Sequence, residues 1–176
     1  MKKIIPFLML AFVSVFTVSC DNDDDVVQVP VDYDTYSTAY DIAPNFARVN
    51  SSLYEYVNTF KSPLVESDVV LVYMQTDTTN NGSPIWKLLP YTFFTNNANN
   101  DEVDYGFDFS KFDFSITVNS TLNLDTNSNS VYYTNKRFRV VVVPAKTGKN
   151  GGVDYNDYNS VIKFYNIDES KIKLQN

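Results

Sequence analysis

The chain has 176 residues, with 14 basic against 21 acidic side chains, one cysteine and no histidine, for a net charge of −7. Without histidine, no Ser-His-Asp triad, Cys-His pair or His-ligated zinc site can be built. So few bases exclude nucleic acid as a partner, and five glycines, none in a phosphate-cradling loop, exclude the common nucleotide motifs.

Lys2 and Lys3 precede an apolar run from Ile4 to Val18 that is broken only by Pro6, Ser14 and Thr17. The run is shorter than the roughly 20 residues a membrane-spanning helix needs and ends in small residues, so residues 1–19 read as a secretory signal. Cys20 stands where the run stops. Cleavage before it removes two lysines and leaves 12 basic against 21 acidic residues, a net of −9. Asp21, Asp23, Asp24 and Asp25 follow at once, and residues 20–38 read as a self-repelling acidic tether. Residues 39–176 are expected to form one domain.

Within that domain Leu53–Phe60 is a strand candidate, and Val69–Met74 is a dense apolar run suited to a strand packed on both faces. Asn81-Gly82 offers the positive φ angles of a hairpin turn. Trp86–Phe94 reads as a further strand, with Pro90 at an edge or a bulge. Val103, Tyr105, Phe107 and Phe109 alternate with polar residues and glycine, and Phe112, Phe114, Ile116 and Val118 do the same. Period two puts these eight on one buried face, and Ser110-Lys111 joins them as a hairpin or one bent strand. Arg137–Val143 is a second dense run. After Gly151-Gly152, the spacing of Tyr155, Tyr158, Val161, Ile162 and Tyr165 predicts a helix with Asp154 as its cap. Ile167, Ile172 and Leu174 then predict a short strand or a segment lying on the sheet. Together these elements predict an all-β, antiparallel β-sandwich (Ig-like or similar) of six to eight strands with a short C-terminal helix.

Carboxylates are the main candidates for chemistry. Asp104 and Asp108 share the polar face of one strand, with Asp113 opposite, and glycoside hydrolysis needs two acids about 5–10 Å apart. Alternation by itself also places acids there, so no catalytic residue is assigned. Asp77-Thr78-Thr79-Asn80-Asn81-Gly82 and Asp125, Asn127 and Asn129 space oxygen donors as calcium loops do. Leu88 and Lys136 stand where a closing glutamate belongs, which favours Asx turns. No cofactor is expected, while a weak calcium site of another geometry, for instance among Asp32, Asp34 and Asp41, stays open. Tyr33, Tyr36 and Tyr40, and Tyr155 with Tyr158, could bind glycan or protein. Trp86 is expected to pack in the core or at its rim.

Thr17-Val18-Ser19-Cys20 resembles the lipobox of bacterial lipoproteins, with Thr17 where the pattern prefers Leu; the likeness implies lipidation of Cys20. The acidic run resembles the export signal of surface-exposed lipoproteins of Bacteroidota. That implies an outer-membrane anchor facing outward, the alternative being the periplasm. Glu66–Tyr73, Trp86–Pro90, Tyr105–Phe109 and Phe138–Pro144 in this order resemble a family of uncharacterised lipoproteins from Bacteroidota, some with collagen-like repeats that this chain lacks. The family has no established activity, so no functional residue comes with the likeness. The expectation is a lipid-anchored, non-enzymatic module that meets protein or glycan at the cell surface. A carboxylate-based glycan enzyme and a structural subunit of an outer-membrane assembly are the alternatives.

Overall fold

A computed structural model describes residues 37–66, 68–144 and 153–175. The signal, Cys20, the acidic run and Tyr33 and Tyr36 lie outside them. Among the described residues, strands β1 (Thr38–Ile42), β2 (Ala47–Asn50), β3 (Leu53–Thr59), β4 (Val69–Thr78) and β5 (Pro84–Leu88) come first. Strands β6 (Tyr91–Phe94), β7 (Glu102–Phe109), β8 (Asp113–Ser120) and β9 (Phe138–Val143) follow, then helix α1 (Tyr158–Phe164) and strand β10 (Leu174–Gln175). One sheet runs β10-β1-β9-β4-β5 and the other β2-β3-β8-β7-β6, with every pairing antiparallel except β1 with β10. The molecule is an all-β sandwich with a short C-terminal helix, with ten strands among the described residues where six to eight were expected.

The valine-rich runs sit where their composition requires. On β4, Val70, Val72 and Met74 meet Val103, Tyr105, Phe114, Ile116 and Val118 of the opposite sheet in the main core. Leu71 and Tyr73 point the other way, into a second core with Trp86, Val141, Val143, Tyr158 and Val161. Helix α1 covers this outer face, so the first sheet is buried on both sides and its central strands carry no polar alternation. Among the described residues no helix covers the outer face of the second sheet, and there β7 and β8 alternate.

Four expectations change in detail. Trp86–Phe94 is two strands: β5 ends the first sheet, β6 ends the second, and the chain crosses between sheets at the cis Leu89–Pro90 bond. Proline thus stands between two edge strands, where no ladder needs its missing N–H. Phe109 and Phe112 are exposed (42% and 52%), although Phe109 shares the inward register of Tyr105 and Phe107. Both lie at the tip of the β7–β8 hairpin, the connection being a turn closed by Ser110 N–H donating to the Asp113 carbonyl at 2.8 Å. The helix is capped by Asp157, whose side chain accepts from Asn159 N, while Asp154 shapes the preceding turn by accepting from Asn156 N at 2.9 Å. At the β4–β5 turn only Gly82 takes a positive φ, of 81°.

Helix α1 ends in a left-handed residue, Asn166 (φ 52°), with Ile167 N–H donating to the Ile162 carbonyl and Asn166 N–H to that of Lys163. This pair of bonds satisfies the last free carbonyls and turns the chain back along the sheet. It then reaches β10, which pairs with β1; of the two outcomes expected for the C-terminal apolar residues, Leu174 takes the short strand.

Candidate functional site

Two polar regions stand out, and their partners differ. In the first, Asp41 of β1 is 1% exposed and points out of the sandwich toward the C-terminal segment. Its carboxylate receives Arg139 Nε at 2.6 Å and Nη2 at 3.1 Å, and also the Arg137 guanidinium. Arg139, 5% exposed, donates in addition to Glu169 Oε1 at 2.9 Å and to the Tyr158 hydroxyl, which itself donates to Glu169 at 2.6 Å. Its guanidinium carbon lies 4.5 Å from the Trp86 ring centre. Burial opposes the charge on Arg139, but the hydrogen bonds it donates to Asp41 and the contacts with Tyr158 more than offset it and hold its pKa above the ordinary value. Burial, with the bond to Glu169, pushes the Tyr158 phenol well above the ordinary range. The network ties β1, β9, α1 and the Glu169–Lys171 turn together, so its groups are spent on one another.

Beside it lies a polar groove of about 670 Å³ lined by Trp86, Lys87, Asp157, Tyr158, Asn159 and Glu169. Tyr158 and Glu169 already serve Arg139. Trp86 Nε1 is buried with no hydrogen-bond partner among the described residues, held in place by its ring contacts.

The second region is an aromatic groove of about 360 Å³ between the sheets. The end of β4 supplies Met74 and Gln75, strands β6 and β7 supply Tyr91, Phe93 and Tyr105, and the loop before β9 adds Tyr132 and Lys136. Tyr105 is fixed at the floor: its hydroxyl donates to the Tyr132 carbonyl at 2.8 Å, and burial raises its pKa strongly. Tyr91 stacks on Tyr105 with ring centres 6.5 Å apart, and Phe93 meets Tyr132 at 5.9 Å. The hydroxyls of Tyr91 and Tyr132 bond to no described residue. Lys136 stands at the rim, its pKa lowered by burial. Rings held in place by one another, two of them with polar tips bonded to no described residue, form the kind of preformed apolar pocket that small ligands use, and the volume lies in the usual range of about 300–1,000 Å³.

The side chains singled out by sequence lie elsewhere. Asp104 accepts from Thr92 Oγ1 at 2.6 Å, and Asp113 accepts from Ser110 Oγ at 2.5 Å. Asp104 and Asp108, four residues apart on β7, are separated by about 13 Å at the rise of a strand, beyond the reach of a glycosidase pair. Asp125 pairs with Arg48 at 2.7 Å and receives the Tyr54 hydroxyl at 3.1 Å, and Asn129 donates to the Asn123 carbonyl. Asp77 accepts from Thr78 N at 2.7 Å, one residue on and not the two of an Asx turn, so the turn expected there is not formed by this side chain. Of the open calcium trio, Asp41 belongs to the arginine network and the other two lie outside the described residues. No group of three acidic side chains converges among the described residues. Tyr40 packs half-buried against the main core, Tyr155 contacts the Tyr165 hydroxyl, and Tyr158 is buried. Trp86 is buried within the second core, one of the two places expected of it.

The groove itself was not legible. Tyr105 read as core, Tyr91 as part of a long strand, and nothing in Val131-Tyr132-Tyr133 signals that it folds over β6. Compared with known proteins, the chain matches no family model, no curated protein and no solved structure.

Proposed function

We propose that this chain is a lipid-anchored module of the bacterial outer membrane, held by Cys20 and facing outward, that binds a glycan or protein through the aromatic groove. The carrying observation is that groove: four aromatic rings, two phenol hydroxyls that bond to no described residue and one lysine in a preformed concavity. Large rigid rings with polar tips bind at little cost in side-chain entropy. The signal pattern, the single cysteine at its end and the acidic run support the address.

Address and binding are tested separately. Metabolic labelling with an alkyne fatty acid should mark the wild-type chain and leave Cys20→Ala unlabelled; label retained on the variant overturns the anchor. Added protease should digest the domain on intact cells, and replacing Asp23, Asp24 and Asp25 with alanine should protect it without loss of lipid. Protection of wild type until lysis would place it on the periplasmic side. For binding, full-length protein in detergent is probed on a glycan array, and Tyr91→Ala with Phe93→Ala should abolish the signal. A signal unchanged in that double variant would move the site away from the groove.

A further inference from the structure

We infer that the aromatic groove takes an acidic sugar, with the carboxylate of an isolated uronate paired to Lys136 and the pyranose ring lying on Tyr91, Phe93 and Tyr132. This rests on the binding role proposed above and names the ligand class.

Lys136 differs from every other lysine described. Lys61, Lys87, Lys111, Lys163, Lys171 and Lys173 are exposed, whereas Lys136 is half-buried. Arg48, Arg137, Arg139 and Lys171 each hold a carboxylate. Lys136 holds none among the described residues, in a chain where acids outnumber bases by 21 to 14. A partly desolvated ammonium without a counterion costs stability, and the cost is recovered when an anion completes it. Burial lowers its pKa for the same reason.

The surroundings select among anions. The groove floor is aromatic, and the apolar faces of a pyranose stack on such rings while its hydroxyls reach the tips of Tyr91 and Tyr132. Gln75 and Lys136 also line a second basin of about 220 Å³ that continues past Asp77, Asn135 and Arg137, so a second, neutral sugar has room beyond the first. A polyuronate does not fit: the rest of the domain is acidic and repels a run of carboxylates. The occupant is therefore a short stretch of mostly neutral glycan with one carboxylate at the lysine.

Isothermal titration of the full chain in detergent compares a glucuronate-containing disaccharide with its carboxyl-reduced counterpart. Wild type should bind the acid at least about tenfold more tightly. Lys136→Met should bring the two affinities together while neutral binding persists, and Lys136→Arg should restore the preference. The melting temperature of Lys136→Met should stay level or rise, because a desolvated charge is removed; a fall would assign Lys136 a structural role and overturn the inference. Equal wild-type affinity for both sugars overturns the charge selection and leaves the binding reading standing. Binding of a peptide with a free C-terminal carboxylate, but of neither sugar, overturns the sugar class. Binding of none of the three overturns the groove as a site altogether.

Discussion

Asp41→Asn tests the part of the structure on which the C-terminal cover depends. The substitution keeps shape and removes charge from a side chain that neutralises two arginines. Arg139, with its side chain 6% exposed, keeps only Glu169 as a carboxylate partner, while Arg137, 46% exposed, regains water. Removing one member of a buried pair costs about 3–5 kcal/mol. Glu169 and the remaining amide oxygen hold the loss to the lower end, about 3 kcal/mol, against a total stability of roughly 5–15 kcal/mol. Urea denaturation measures it, followed by the fluorescence of Trp86. That ring is the only tryptophan and lies over Arg139, so its native emission also reports whether the guanidinium has moved. Replacing the pair by apolar residues, Asp41→Leu with Arg139→Met, should recover most of the loss, since burial of either charge is then avoided. A loss below about 1 kcal/mol with unchanged emission would mean that water already reaches the pair, and the Asp41–Arg139 bond would be no more than a surface contact.

The inward register of the second sheet predicts a graded series in chemical denaturation. Phe114→Ala, at 1% exposure, should cost about 3–5 kcal/mol, the half-buried Phe107→Ala clearly less, and the exposed Asp108→Asn within about 0.5 kcal/mol. A larger effect at Asp108 than at Phe114 would refute the register. Stability should also fall at high pH: burial raises the phenol pKa of Tyr40 to about 12 and those of Tyr73 and Tyr105 further, against about 10 when unfolded. The neutral phenols contribute fully below pH 10, and the contribution is lost as pH climbs from there through 12, because the unfolded chain gives up protons first. A denaturation midpoint that stays flat from pH 9 to 12 would contradict this.

The acidic face of β7 and the doubly buried β4 and β9 could be read directly, because side-chain period is a local property of the backbone. Alternation marks a strand with one wet face, and an unbroken valine run marks one with none. The class of fold followed from those runs and the turns between them. Tertiary structure decided everything that depends on what lies opposite. Phe107 and Phe109 follow the same rule in sequence, yet the one near the tip of the hairpin is exposed while the other packs on the core. The run Trp86–Phe94 has strand composition throughout, but its two halves join different sheets, a choice made by edge positions far away in the chain. Asp41 looks like one more acid near a tether until Arg137 and Arg139, nearly a hundred residues later, close on it. The groove is the extreme case: residues 74–75, 91–93, 105 and 132–136 meet only because two sheets and a loop converge there. Each has an ordinary local context, and only their assembly leaves a half-buried lysine among aromatic rings, paired to no carboxylate among the described residues.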